Sequence, residues 1–257
     1  MRITDPSNPL AWLLGSFLVM ILAANLAWLI VRRKATDPSF QMGPLAALGW
    51  LVRALFYLLI PFLALREGII SPYAAGLSEI NWPATLSTGL TLAGVLIVAL
   101  LFGWLMYRRS LPEGQPAQPL ARLILGLRGP TSAALQQWHW TFYRAAAAAA
   151  LLTTASVEGP RMVERIMEKL QSDPLYWGAW LGIALAGVEW ALNPFSRAAW
   201  RADNKRAAAI RRASLAIATT GLFVLTRNFW LCLAAHLLVE TFVATWFALP
   251  QAIPQGD

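Results

Sequence analysis

Apolar residues in this chain come in long unbroken blocks rather than in alternation or in one-sided stripes. A bilayer core takes roughly 20 apolar residues per helix, so each block of that length predicts a membrane span. Seven blocks stand out, at 9–31, 44–65, 83–107, 131–157, 175–192, about 213–226, and 229–249. The first ends at once in Arg32-Arg33-Lys34, whereas a signal peptide carries its basic residues before the apolar stretch and a cleavage site after it, so it reads as a retained helix. Arg53 lies inside the second block and Pro61 predicts a kink there. The fourth carries Gln136, Gln137, His139 and Arg144, but Ala145 to Ala150 and two leucines continue it without a break. The six alanines predict close approach of a neighbouring helix.

Between the blocks the pattern changes. Residues 110–119 form a polar, proline-containing linker, followed by a basic stretch around Arg122 and Arg128 expected at the interface. In 160–171, Met162, Val163, Ile166, Met167 and Leu170 recur at helical spacing among charges, as in a short helix lying on a membrane surface. Arg197, Arg201, Lys205, Arg206, Arg211 and Arg212 form a basic loop before the sixth block, and Arg227-Asn228 makes a tight turn before the seventh.

Composition agrees with this picture. Hydrophobic residues make up 58% of the 257 and charged residues 13%, with a mean hydropathy of +0.52. A soluble chain carries about 25% charged residues. This excludes a secreted disulfide scaffold, a disordered tail and an ordinary cytosolic enzyme. The fold class is therefore all-α, a polytopic membrane bundle of about seven spans with short interfacial helices. It divides into an N-terminal three-helix region, 1–119, and a C-terminal four-helix region, 120–257. One cysteine, Cys232, excludes an intrachain disulfide and a cysteine-ligated metal centre.

The net charge of +8 would suggest nucleic acid in a soluble protein. Here thirteen basic residues fall in loops on one side of the seven-span arrangement and six on the other, with Arg53 and Arg144 inside spans. The positive-inside rule then places the N-terminus outside and the C-terminus in the cytoplasm, in the cell (inner) membrane. The expected partners are membrane lipids and other membrane subunits, not nucleic acid. Trp12, Trp82, Trp104, Trp177, Trp230 and Trp246 fall near span ends, where such rings favour the interface, and most of the Trp and Phe excess is expected to face lipid.

An ionisable group at mid-bilayer costs at least ~2.5–3.5 kcal/mol unless it faces protein or water. The groups needing an account are Arg53, His139, Arg144, Glu189, Asn193, His236 and Glu240. Depth along the helices predicts an Arg144–Glu240 ion pair and a His139–Glu189 layer. His236 and Glu240 share one helix face by i, i+4 spacing, as do Glu189 and Asn193. Two readings follow. In one these are buried structural contacts, with His236 bonded to a neighbouring helix backbone. In the other His139, Glu189, His236 and Glu240 form a site that binds a metal such as zinc or activates water. A lipid or quinone headgroup meeting the polar cluster is a third.

Two segments resemble the CPBP intramembrane protease family (CAAX-processing and bacteriocin-processing proteases). That family's first motif, Glu-Glu-x-x-x-Arg with an aromatic before the Arg, aligns with His139-Trp140-Thr141-Phe142-Tyr143-Arg144. Its last motif, a His followed four residues later by Asn or Asp, aligns with His236 to Glu240 after the 226–231 turn. The segment 68–82, with Gly76-Leu77 and Trp82, is also similar. Arg144 and His236 carry over, and Glu240 carries over with a changed side chain. His139 and Trp140 replace the paired glutamates that activate water in the family, and the family's middle His has no counterpart. A general base is thus missing. The resemblance implies a family fold without protease chemistry: a pseudoenzyme, serving as an accessory or scaffold subunit of a larger complex such as an electron-transport or photosynthetic assembly. The active hydrolase, with His139, Arg144, His236 and Glu240 as its catalytic candidates, is the alternative.

Overall fold

A computed structural model describes residues 8–36, 51–52, 54–109, 119–154 and 161–246. Those residues are predominantly helical, with a loop at 67–81 and no strands. Helix α1 spans Pro9–Thr36. Helix α2 joins a π-helical turn, Leu55–Leu59, to an α-helical segment, Ile60–Arg66. Pro61 sits just past that turn. Proline lacks a donor and crowds the carbonyl four residues back, and the wider π turn accommodates both. Arg53 lies outside the described residues, as do 110–118 of the linker.

Helix α3 is Trp82–Arg109, α4 Pro119–Thr153, α5 Arg161–Ser172 and α6 Pro174–Leu192. Helix α7 is Pro194–Arg201, α8 Asp203–Thr226 and α9 Phe229–Trp246. Two boundaries correct the sequence reading. The basic stretch at Arg122 and Arg128 is the start of α4, which runs through Pro130 into the apolar block. The basic loop before the sixth block is itself helical: α7 occupies its first half, and α8 begins at Asp203, not near 213. Asn193 explains α7. Its side chain accepts from the backbone N–H groups of Phe195 (3.0 Å) and Ser196 (3.4 Å), with Pro194 in the first turn.

Among the described residues, four helical segments are long and apolar enough to cross a membrane: Pro9–Arg33, Trp82–Met106, Pro174–Leu192 and Lys205–Thr226. The apolar parts of α2 and α9, Leu55–Arg66 and Phe229–Phe242, are shorter. Helix α5 buries none of its residues, and Met162, Val163 and Ile166 are exposed, as an interfacial helix requires.

Helix α4 is the hub. It packs on α6 most extensively, then on α9, α1 and α2, while α8 packs on α3, α6, α7 and α9. Helices from both sides of residue 119 therefore pack together. The α4–α6 contact explains the alanine run. A methyl group added at Gly178 would come within 2.6 Å of Ala148 Cα, and one at Gly182 within 2.7 Å of Arg144 Cα. The two glycines, one turn apart, let the backbones touch.

The end of the bundle at the α8–α9 turn is tied together. Arg227 takes a left-handed conformation (φ 51°) and ends α8. Asn228 caps α9 through Leu231 N–H (3.1 Å). The loop 67–81 docks here, with Gly76 (φ 69°) accepting from Phe229 N–H at 3.0 Å. Arg227 reaches Asp173 (3.4 Å), which also caps α6 through Tyr176 N–H. Gln171 donates to the carbonyls of Thr154 (2.8 Å) and Leu151, closing the end of α4.

The aromatic residues divide differently from expectation. Trp82 and Trp230 are exposed, but Trp104 is buried, with the Arg211 guanidinium 5.0 Å from its ring centroid. Phe56, Trp140, Phe142, Tyr143 and Phe223 are also buried, so a large share of the ring area fills the core.

Candidate functional site

The buried polar residues form a seam along α4, in three layers. Helical periodicity turns Gln137, His139, Trp140, Tyr143 and Arg144 toward neighbouring helices, and all five are buried.

In the layer nearest the start of α4, His236 of α9 approaches Gln137, with Nδ1 3.4 Å from the side-chain oxygen. Its imidazole lies flat on the Trp140 indole, with centroids 5.1 Å apart and planes inclined by 6°. His236 thus meets a side chain, not the helix backbone expected. Among the described residues no partner reaches His236 Nε2, Gln137 Nε2 or Trp140 Nε1.

In the next layer His139 and Glu189 meet as expected. The distance from Nε2 to Oε2 is 3.4 Å, and both side chains are 2% exposed. Tyr143 donates its hydroxyl to the same carboxylate oxygen at 3.1 Å. Rings of Phe56 (4.2 Å), Tyr57 (5.1 Å), Phe142 and Tyr143 (4.2 Å) surround the imidazole. The π turn of α2 supplies two of these rings. A pair placed at this depth between apolar rings is held by packing as much as by charge.

The third layer holds Arg144, which is 1% exposed. The expected pair with Glu240 does not form. Arg144 donates to Thr141 Oγ1 (2.8 Å) and to the Thr219 carbonyl (3.4 Å), and its guanidinium lies 4.5 Å from the Phe223 ring centroid. Cys232 donates to the same Thr219 carbonyl at 3.3 Å. Among the described residues no carboxylate pairs with Arg144. A carbonyl, a hydroxyl and a ring face do the work of a counter-ion.

Glu240 instead binds Arg211 in a bidentate pair, with Nε at 2.9 Å and Nη2 at 3.2 Å. The reason is depth. Arg144 meets α9 at the level of Cys232, and Glu240 lies eight residues, about 12 Å, further along that helix. Because α8 begins at Asp203, Arg211 is two turns inside it and reaches Glu240 first.

The four metal candidates are accordingly divided. His139 and Glu189 are together, His236 is with Gln137, and Glu240 is with Arg211. Among the described residues no group of three or more His, Cys, Asp or Glu could hold a metal ion. Asn193 is a helix cap, not a member of the seam. Gln137, Tyr143, Thr141 and Thr219 complete the layers and are not among the site candidates that the sequence offers. The signal for Gln137 was its position on the same helix face as Trp140, Arg144 and the alanines.

No protein-family model, curated protein or solved structure matches this chain.

Proposed function

We propose that this chain is a non-catalytic, polytopic membrane protein of seven crossings, in which α2, α4 and α9 join the four long apolar helices. It serves as an accessory or scaffold subunit of a larger membrane assembly. Its N-terminus lies outside and its basic α7–α8 segment faces the cytoplasm. The fold resembles that of the CPBP proteases, with the polar seam kept as structural glue.

One observation carries this reading: the indole of Trp140 lies against the His236 imidazole. In the resemblance to the CPBP family, Trp140 stands where a glutamate would activate water. The buried ring stacked on His236 supports the reading, since an indole at that position cannot act as the base. Of the other seam residues, His139 and Tyr143 meet Glu189, and Arg144 meets Thr141 and the Thr219 carbonyl. The outward faces support a role among neighbours. Leu18, Val19, Leu22, Leu26 and Leu29 of α1 are exposed, and so are Leu90, Val95, Val98 and Phe102 of α3. These faces suit lipid or apolar helices of other subunits.

Extraction from native membranes in mild detergent tests the reading. Co-isolation with defined partners in fixed ratio is the expected result. Recovery solely as a monomer overturns the subunit role. Stoichiometric zinc that is lost in His236→Ala, with accompanying proteolysis, overturns the non-catalytic reading and restores the hydrolase.

A further inference from the structure

A cavity of about 280 Å³ opens between the end of α6, helix α7 and the first turns of α8, away from the buried seam. Its lining includes Trp190, Ser196, Trp200, Lys205, Ala209 and Arg212. The volume is near the ~300 Å³ at which small-molecule sites begin. Alanines on α7 and α8 leave the space, and the Asn193 cap sets the angle of α7 that opens it.

The charges of this cavity are unbalanced. The Arg212 guanidinium lies 5.1 Å from the Trp190 ring centroid and donates to Tyr57 Oη at 3.3 Å. No acidic group among the described residues pairs with it, and its buried Nε has no hydrogen-bond partner there. Lys205, exposed at the rim, likewise has no carboxylate among the described residues. The adjacent Arg211 is the contrast, since Glu240 neutralises it in a two-point pair. Two successive arginines on α8 thus differ: one has its anion in the chain, and the other faces a cavity.

The geometry points to a binding site for a phosphate-bearing anion in this cavity. Arg212 and Lys205 take the phosphate oxygens, the Ser196 hydroxyl supplies a further donor, and Trp190 and Trp200 flank the organic part. Arginine favours phosphate because its fork of N–H groups gives directed bonds, and lysine adds a compact charge. Tryptophan beside basic residues at the edge of an apolar helix bundle suits the depth of phospholipid headgroups. A phosphodiester headgroup and a free phosphate share this chemistry. The inference does not depend on the subunit role proposed above.

The test uses the full chain in nanodiscs of phosphatidylcholine alone or with phosphatidylglycerol, and reads retained lipid by native mass spectrometry. A second arm titrates inorganic phosphate into the phosphatidylcholine discs and follows tryptophan fluorescence. Retained phosphatidylglycerol that phosphate does not displace identifies the headgroup. A saturating phosphate response identifies the free anion. In either case Lys205→Ala should weaken binding about fivefold, the effect of one basic side chain near an anionic surface. Ala209→Leu should abolish it by filling the cavity without changing charge, while thermal stability is kept. Arg197→Ala, the same loss of charge on α7 outside the cavity, should change affinity less than twofold. Binding of neither anion, or equal weakening by Arg197→Ala and Lys205→Ala with no effect of Ala209→Leu, overturns the site.

Discussion

Gly182 lies directly against the backbone of Arg144, with no side chain between α6 and α4. That contact sets the spacing of the two helices and so the distance between His139 and Glu189 further along them. Adding a methyl here forces backbone apart from backbone, which no rotamer change relieves. Gly182→Ala should lower stability by about 1–3 kcal/mol, as overpacking does. Gly187→Ala, on the same helix with open space around it, should be neutral or slightly stabilising. Apparent melting temperatures in detergent compare the two.

The exchange of partners at Glu240 is open to a double-mutant cycle. Arg211→Ala and Glu240→Ala should be non-additive by about 1–3 kcal/mol, since each alone strands a half-buried charge. Arg144→Ala and Glu240→Ala should add to within about 0.5 kcal/mol, as separated sites do. Chemical denaturation of the three single and two double variants beside the parent chain measures both couplings. The reverse pattern would restore the Arg144–Glu240 pair.

Replacing Trp140 probes the seam. Trp140→Ala removes a fully buried indole from the face of His236 and should cost about 3–5 kcal/mol. Trp140→Glu should be at least as harmful and should produce no proteolysis, because it buries a single carboxylate beside His236 with His139, not a second acid, before it. A peptide-cleavage assay beside a stability measurement checks both.

Two glycines of the loop 67–81 separate backbone conformation from steric fit. Gly68 (φ 72°) has open space at its Cβ position, and alanine there should cost about 1–2 kcal/mol for the left-handed conformation alone. At Gly76 (φ 69°) the added methyl would also sit 2.8 Å from the Arg227 carbonyl oxygen. Gly76→Ala should therefore be clearly the more destabilising of the two in thermal unfolding.

Much of the helical framework is legible in the residues. The boundary of α6, the turn at Arg227-Asn228, the exposed helix α5 and the role of the alanine run follow from apolar block length, turn chemistry and spacing. The His139–Glu189 layer follows from depth counting, because both residues lie toward the same end of the bundle. For Arg144 and Glu240 the depths count from opposite ends of their apolar blocks, and the early onsets of α4 and α8 displace the match by two turns. Those onsets were hidden by charge. The segment 197–212 is rich in arginine and reads as a loop, yet Asn193-Pro194 is a helix-start signal as much as a stop. Treating it only as a stop conceals α7, the early start of α8 and the cavity between them. The buried aromatic residues are not legible, because composition does not distinguish a ring facing lipid from one facing α4.

The hydrogen bond from Phe229 N–H to the Gly76 carbonyl joins segments far apart in the chain. The receiving loop is synthesised well before the hairpin that it holds. As α8 and α9 leave the ribosome, a docking point for their turn is already in place, which favours assembly of the bundle in order from its N-terminal half. A chain cut within that loop would leave its last two helices without the latch that fixes their register.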